Sequence, residues 1–244
     1  MASFHLLPAE RSALGAKRHD KKLMLNTDRI KGKRTGMKTR IIKVKGDWQD
    51  VVNGCRATVK KPPLGHEPSD KFKEDIIIAE HEPIREIEIK FAWDDIPYCI
   101  AMHWKTHIWP SRTNTSREDR TGIPRNKRYQ TDLVNFEGRM NLQHQIDTFR
   151  KRLCYQADPQ TREYAEDYKA ATRAIEPQAS DALVPNCVYR CGCPEINGCG
   201  IWDMFVSWCL RKHNVIVQTL GIHERYRLYN EWFYTVKRGG EKND

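Results

Sequence analysis

Within residues 141–157, NLQHQIDTFRKRLCYQA, a polar stripe runs beside an apolar one and the stretch ends in a run of cations. Leu142, Ile146, Phe149 and Leu153 recur at i, i+4, i+7 and i+11, the spacing of one face of an α-helix. Asn141, Gln145, Thr148 and Arg152 recur at the same intervals on another face. On a helix, Asn141 and Arg152 point the same way, roughly 16 Å apart along the axis, which suits a nucleotide or flavin lying along it. Arg152 carries a planar fork that can hold a carbonyl and a ring nitrogen of a pyrimidine together; the plainer reading of Arg150-Lys151-Arg152 is a solvated basic cluster.

Upstream, residues 111–128 alternate hydroxyls with guanidiniums: Ser111, Arg112, Thr113, Thr115, Ser116, Arg117 and Arg120, followed by Arg125, Lys127 and Arg128. Phosphate wants several short donors and a charge-matched fork, so this is either a phosphate-binding loop or a solvated one. His103 and His107 stand one helical turn apart, but no third ligand and no His-Glu-x-x-His glutamate accompany them, so packed or ligand-facing histidines are expected rather than a metal pair. Cys187, Cys191, Cys193 and Cys199 are spaced C-x3-C-x-C-x5-C, compact enough for a structural zinc yet unlike paired C-x2-C knuckles; free buried thiols are the alternative. No glycine-rich dinucleotide loop, Walker loop or nucleophile elbow occurs, which removes support for a Rossmann or hydrolase reading.

The elements that must position these groups follow from periodicity. Residues 38–45 and 84–92 alternate as strands, and residues 48–59 and 71–80 read as helices separated by a Pro/Gly-rich linker at 60–69. A long helix is expected over 133–154 and another over 161–175. After the cysteine-rich segment 185–200 come a helix (201–212), a strand-like run (215–220) and an aromatic helix (223–237).

The chain has 244 residues, enough for one sizeable core with appendages. No run of 18 apolar residues occurs, so no membrane-spanning helix is expected. No apolar signal core opens the chain, so a cytoplasmic, reducing setting with free thiols is expected for the eight cysteines. Of the net charge of +10, residues 1–36 supply +6, from nine Lys/Arg against three Asp/Glu. The basicity is thus mostly that of an N-terminal extension, either a solvated arm or a nucleic-acid anchor.

Taken in order, several of these pieces resemble the flavin-dependent thymidylate synthases over residues 37–200: Asn53-Gly54-Cys55-Arg56-Ala57-Thr58-Val59, His81-Glu82-Pro83-Ile84-Arg85, Asn141 through Arg152 to Ala157, and the tail that ends in Cys193-Pro194-Glu195. The resemblance implies an α/β (α+β) fold with an antiparallel-rich sheet packed with long helices, assembled as a homotetramer. Residues 37–200 would be the catalytic domain, 1–36 a basic extension and 201–244 a C-terminal helical extension. It further implies FAD as cofactor, NADPH and 5,10-methylenetetrahydrofolate as co-substrates, and methylation of dUMP at carbon 5 to dTMP with reduced FAD as hydride source. Carried over, Arg152 is the catalytic arginine that grips the pyrimidine and promotes loss of its N3 proton. His103, Ser116, Arg117, Arg120 and Arg125 would join it on dUMP; His81, His107, Ser111, Asn141 and Asp147 would contact FAD. The family's Arg-His-Arg-x-x-Ser-x-Asn-Glu-x-Ser-x-Arg signature is altered: Thr106 and Ile108 flank His107, and Glu118 replaces the last arginine, leaving Arg117 or Arg120 as substitutes. Two alternatives accompany this reading: hydroxymethylation of a pyrimidine deoxynucleotide, and a non-catalytic nucleic-acid binder on the same fold, acting through the basic extension.

Overall fold

The computed structural model describes residues 39–115 and 117–238. Residues 1–38, Ser116, residues 239–244 and the side chain of Arg125 lie outside the described part. No described helix is long and apolar enough to cross a membrane.

Four strands form one antiparallel sheet in the order β1-β2-β4-β3, with β1 at Thr39–Lys45, β2 at Glu88–Pro97, β3 at Ser111–Thr113 and β4 at Leu133–Asn141. Helices α1 (Trp48–Thr58) and α2 (Asp70–Ile78) follow β1, each with an N-cap acceptor, Asp47 and Ser69 respectively. A short turn of helix at Glu82–Glu86 leads into β2, which therefore begins later and runs further than the alternation from residue 84 suggested. Helix α3 is Tyr98–Lys105 and α4 is the single turn Glu118–Thr121.

The expected helix over 133–154 is instead a strand and a helix. Val134, Phe136, Gly138 and Met140 are buried on alternate positions of β4, a period of two that the apolar spacing of the following helix masks when both are read together. Helix α5 occupies Leu142–Arg152, its N-terminus capped by Asn141 Oδ1, which accepts from the backbone N–H of His144 at 2.9 Å. Helix α6 (Pro159–Arg173) starts on proline behind the cap Asp158. Then come α7 (Pro177–Ala182), α8 (Asn186–Arg190), α9 (Ile201–His213) and α10 (Ile222–Trp232). The strand expected at 215–220 is a turn of 3-10 helix at Val217–Thr219; Val217 is buried beside α9, Ile216 is exposed, and the run meets no strand partner among the described residues.

An aromatic chain joins sheet to helices. Trp93 of β2 lies 5.0 Å from Trp104 of α3, Trp104 lies 5.9 Å from Phe149 of α5, and Phe149 lies 4.8 Å from Tyr168 of α6, which returns to Phe91 at 4.8 Å. All five rings are fully buried. Their interlocking fixes the ends of α3 and α5 and the start of α6 relative to one another. The apolar face read from α5, Leu142, Ile146, Phe149 and Leu153, is buried in this core, and Phe205, Tyr229 and Phe233 of the C-terminal segment belong to the same cluster.

Candidate functional site

Arg152 is the last residue of α5, three positions beyond the anchored Phe149, where free carbonyls at the helix end favour a cation. Its Nη2 donates to Nε2 of His107 at 2.5 Å. Its Nε is buried and meets no acceptor, and no carboxylate pairs with it among the described residues. Burial lowers its pKa from the usual value. A half-buried guanidinium with spare donors and no counter-charge is set up for an acceptor-rich ligand.

His107 follows α3. Burial first, and the neighbouring Arg152 cation second, push its pKa down to about 4, so at neutral pH it is uncharged and can accept from Arg152. Its Nδ1 then carries the ring proton. The carbonyl of His107 accepts from Nε2 of His144 at 2.5 Å, tying this segment to the first turn of α5. His103, one turn back on α3, has its ring centre 5.4 Å from that of His107 and tilted 55° to it, and Thr161 Oγ1 on the first turn of α6 lies 3.4 Å from its Nδ1. Burial and Arg152 lower the pKa of His103 against the opposing pull of Asp158. Three helix ends therefore converge on one cation and two neutral imidazoles.

The neighbouring Arg150 behaves differently. It forms a charged pair with Glu80, and its guanidinium stacks 3.6 Å from the centre of Tyr189. Burial works to raise the Glu80 carboxyl, but the hydrogen bonds from Arg150 and Gln143 outweigh it and hold that pKa down. Glu80, Gln143, Asp147 and Arg150 share one side of α5. Arg152, nine residues beyond Gln143, points to the opposite side at about 100° per residue.

This geometry corrects the expected polar wall. Asn141 is the cap of α5 and spends its side-chain oxygen on His144, so it does not stand in helical register with Arg152. Gln145 is fully buried, its Nε2 donating to the Met140 carbonyl at 3.1 Å, and Thr148 is buried too, so the stripe faces the interior along most of its length. Of the residues expected on flavin, His81 is exposed next to Glu80, and Asp147 is engaged with Arg150 and Gln143, both away from Arg152. Ser111 opens β3 four residues after His107, with its Oγ buried and unpartnered. Asn141 caps the turn whose His144 donates to the His107 carbonyl, and Ser111 pairs with Gly138 on the strand that leads to Asn141, so these three are joined through β4 and the start of α5.

In the loop, Arg117 pairs with Asp119 at 2.6 Å, Arg120 is exposed, and Arg128 Nη2 donates to the Thr115 carbonyl at 3.1 Å with its Nε left unpartnered. Among the described residues no group of three or more His, Cys, Asp or Glu is placed to hold a metal ion. Cys191 turns away from the other cysteines toward the Val217 carbonyl, and Cys154 takes its place beside Cys199. A separate cleft of about 390 Å³ lies between α2, α7 and α10, but its polar residues already pair, Arg227 with Glu224 and His223 with Asp75. His144 and Thr161 escape a reading by motif; the only sequence signals are the caps Asn141 and Asp158 three residues before each.

No family model matches the chain, and no curated protein matches it. Among solved structures, it is similar to the UMP/dUMP methylase PolB from Streptomyces cacaoi bound with 5-Br dUMP, at 10% identity over 59% of this chain and 93% of that one, with a TM-score of 0.49. It is also similar to thymidylate synthase X (ThyX) from Helicobacter pylori with FAD and dUMP, at 9% identity over 59% of this chain and 98% of that one, with a TM-score of 0.48.

Proposed function

We propose that this chain binds a pyrimidine deoxynucleotide, dUMP or a close relative, at Arg152 and acts on carbon 5 of its ring as a methyltransferase. The observation that carries the reading is the uncompensated Arg152 guanidinium held by neutral His107. A uracil edge offers two carbonyls and an N3 that becomes an acceptor once its proton leaves. The guanidinium stabilises that deprotonated ring, and the negative charge left by the N3 proton, delocalised onto carbon 5, makes that carbon the nucleophile with no cysteine adduct. His107 orients the fork, and His103 with Thr161 borders the ring.

The resemblance supplies the partners: 5,10-methylenetetrahydrofolate as carbon donor, FAD with NADPH for the hydride, and a homotetramer around the cofactor. FAD would contribute hydride chemistry. Asn141, His107 and Ser111 are joined through His144 and β4, whereas His81 and Asp147 stand on the Glu80 side of α5, so a flavin held by all five would be completed by a second copy of the chain. Flavin/folate-dependent hydroxymethylation is the alternative outcome at the same site, with water added to the transferred methylene in place of hydride.

Calorimetric titration with dUMP, followed by release of tritium from carbon 5 in the presence of methylenetetrahydrofolate, tests the reading. Binding and release support it, and product mass separates methyl from hydroxymethyl. Absence of both binding and release sinks it. A colourless purified protein that takes up no FAD sinks the flavin-dependent version.

A further inference from the structure

The sulfurs of Cys154 and Cys199 lie 4.0 Å apart, although 45 residues separate them in the chain. Cys154 stands two residues past Arg152 in the turn that ends α5, and Cys199 precedes α9. Both are half-buried free thiols. The segment 191–200 that carries Cys199 contains neither helix nor strand, and its Ile196 is fully exposed. Forming the bond requires the two sulfurs to approach by about 2 Å, and Gly192 and Gly200 of this segment have open space where a side chain would be. The charge neighbourhood of Cys187 includes Cys154, Cys193 and Cys199, so four of the eight cysteines gather here, yet no three of them are placed for a metal.

We propose that Cys154 and Cys199 are a reversible redox pair, and that their disulfide ties the loop 191–200 to the end of α5 that presents Arg152. The reaction is exchange with a small-molecule disulfide. The Cys199 thiolate attacks one sulfur of that disulfide and expels the first small thiolate. The Cys154 thiolate then attacks the Cys199 sulfur of the mixed disulfide and expels the second. The two protein protons end on the two released thiols, so the protein loses two electrons and the small disulfide gains them. Burial, foremost, raises the pKa of Cys154, which suits it to the resolving role rather than the first attack. The consequence for the ligand rests on the proposed nucleotide site: the cross-link restrains the turn that follows Arg152 and with it the contact between Arg152 and His107.

The test is to equilibrate the full chain across glutathione ratios, block remaining thiols, digest and map the cross-links by mass spectrometry. The expected result is a loss of about 2 Da with a single 154–199 cross-link, reversed by dithiothreitol. A rise of the unfolding midpoint on the order of 10 °C accompanies it, and Cys154→Ser and Cys199→Ser each abolish both changes. A cross-link elsewhere, both thiols remaining free in oxidised glutathione, or stoichiometric zinc held by these cysteines overturns the proposal. Oxidised protein should then bind dUMP about tenfold more weakly than reduced protein. If the cross-link forms but neither form binds dUMP, the nucleotide reading fails and the redox pair stands; equal dUMP binding by both forms overturns the coupling to Arg152.

Discussion

Arg152 Nη2 rests 2.5 Å from the Nε2 of His107, and the guanidinium has no carboxylate among the described residues to share its charge. Two residues earlier, Arg150 is closed off by Glu80, Gln143 near it and the face of Tyr189. The Arg150 charge is met within the fold, although its Nε also lacks an acceptor, whereas the Arg152 charge meets no carboxylate among the described residues.

Arg152→Ala should therefore remove about 2–4 kcal/mol of transition-state stabilisation, a fall of roughly 30- to 1,000-fold in turnover of dUMP, with unchanged circular dichroism. Arg152→Lys should recover little, since a point charge cannot make a two-pronged contact. Steady-state tritium release gives the answer, and turnover within twofold of the unaltered chain contradicts the assignment.

Arg150→Ala should do the reverse. Its side chain and that of Glu80 are mostly buried, at 13% and 22% exposure, so deletion strands a carboxylate and should cost about 1–3 kcal/mol of stability. Affinity for dUMP should stay within about twofold. Urea unfolding beside calorimetric titration separates the two effects.

The imidazole of His107 should titrate near 4 in an NMR pH series. Its folded pKa lies below the unfolded value, so the unfolded chain takes up a proton first as pH falls. Stability is full above about 6.5, declines as pH falls from there to about 4, and levels off below. Protonation also turns Nε2 from acceptor to donor and breaks the contact with Arg152. In Arg152→Ala the pKa should rise only part of the way, because burial is the larger cause; an unchanged value would show that the two groups are not coupled.

Gly138 sits where a Cβ would fall 2.7 Å from Ile108 Cγ2 and 3.1 Å from the Phe136 ring. Gly138→Ala should push Ile108, and with it His107, out of place, costing about 1–3 kcal/mol by overpacking. A lowered thermal midpoint together with a His107 pKa moved toward 6.5 is the expected pair of readings; a wild-type midpoint would show that Ile108 can yield.

The altered signature shows where local sequence stops being informative. His107 is legible as a chemical group from its place one turn after His103, but that its partner is Arg152, 45 residues on, depends on the Trp104–Phe149 packing that sets α3 against α5. Asn141 looked like a ligand-facing residue because the stripe was extended by helical period into a position whose backbone is already extended.

The sequence by itself determined the apolar face of α5, the strands β1 and β2 in outline, and Arg152 as a cation on an otherwise packed helix. These rest on periods that act over a few residues. Only the tertiary structure decided which of Arg150 and Arg152 lacks a carboxylate partner, that His107 is neutral and accepts from Arg152, that Asp147 is engaged on the Glu80 side of α5, and that Cys154 rather than Cys191 meets Cys199. Each of these depends on which distant side chain supplies a charge, a ring or a lone pair, and spacing along the chain carries no record of that.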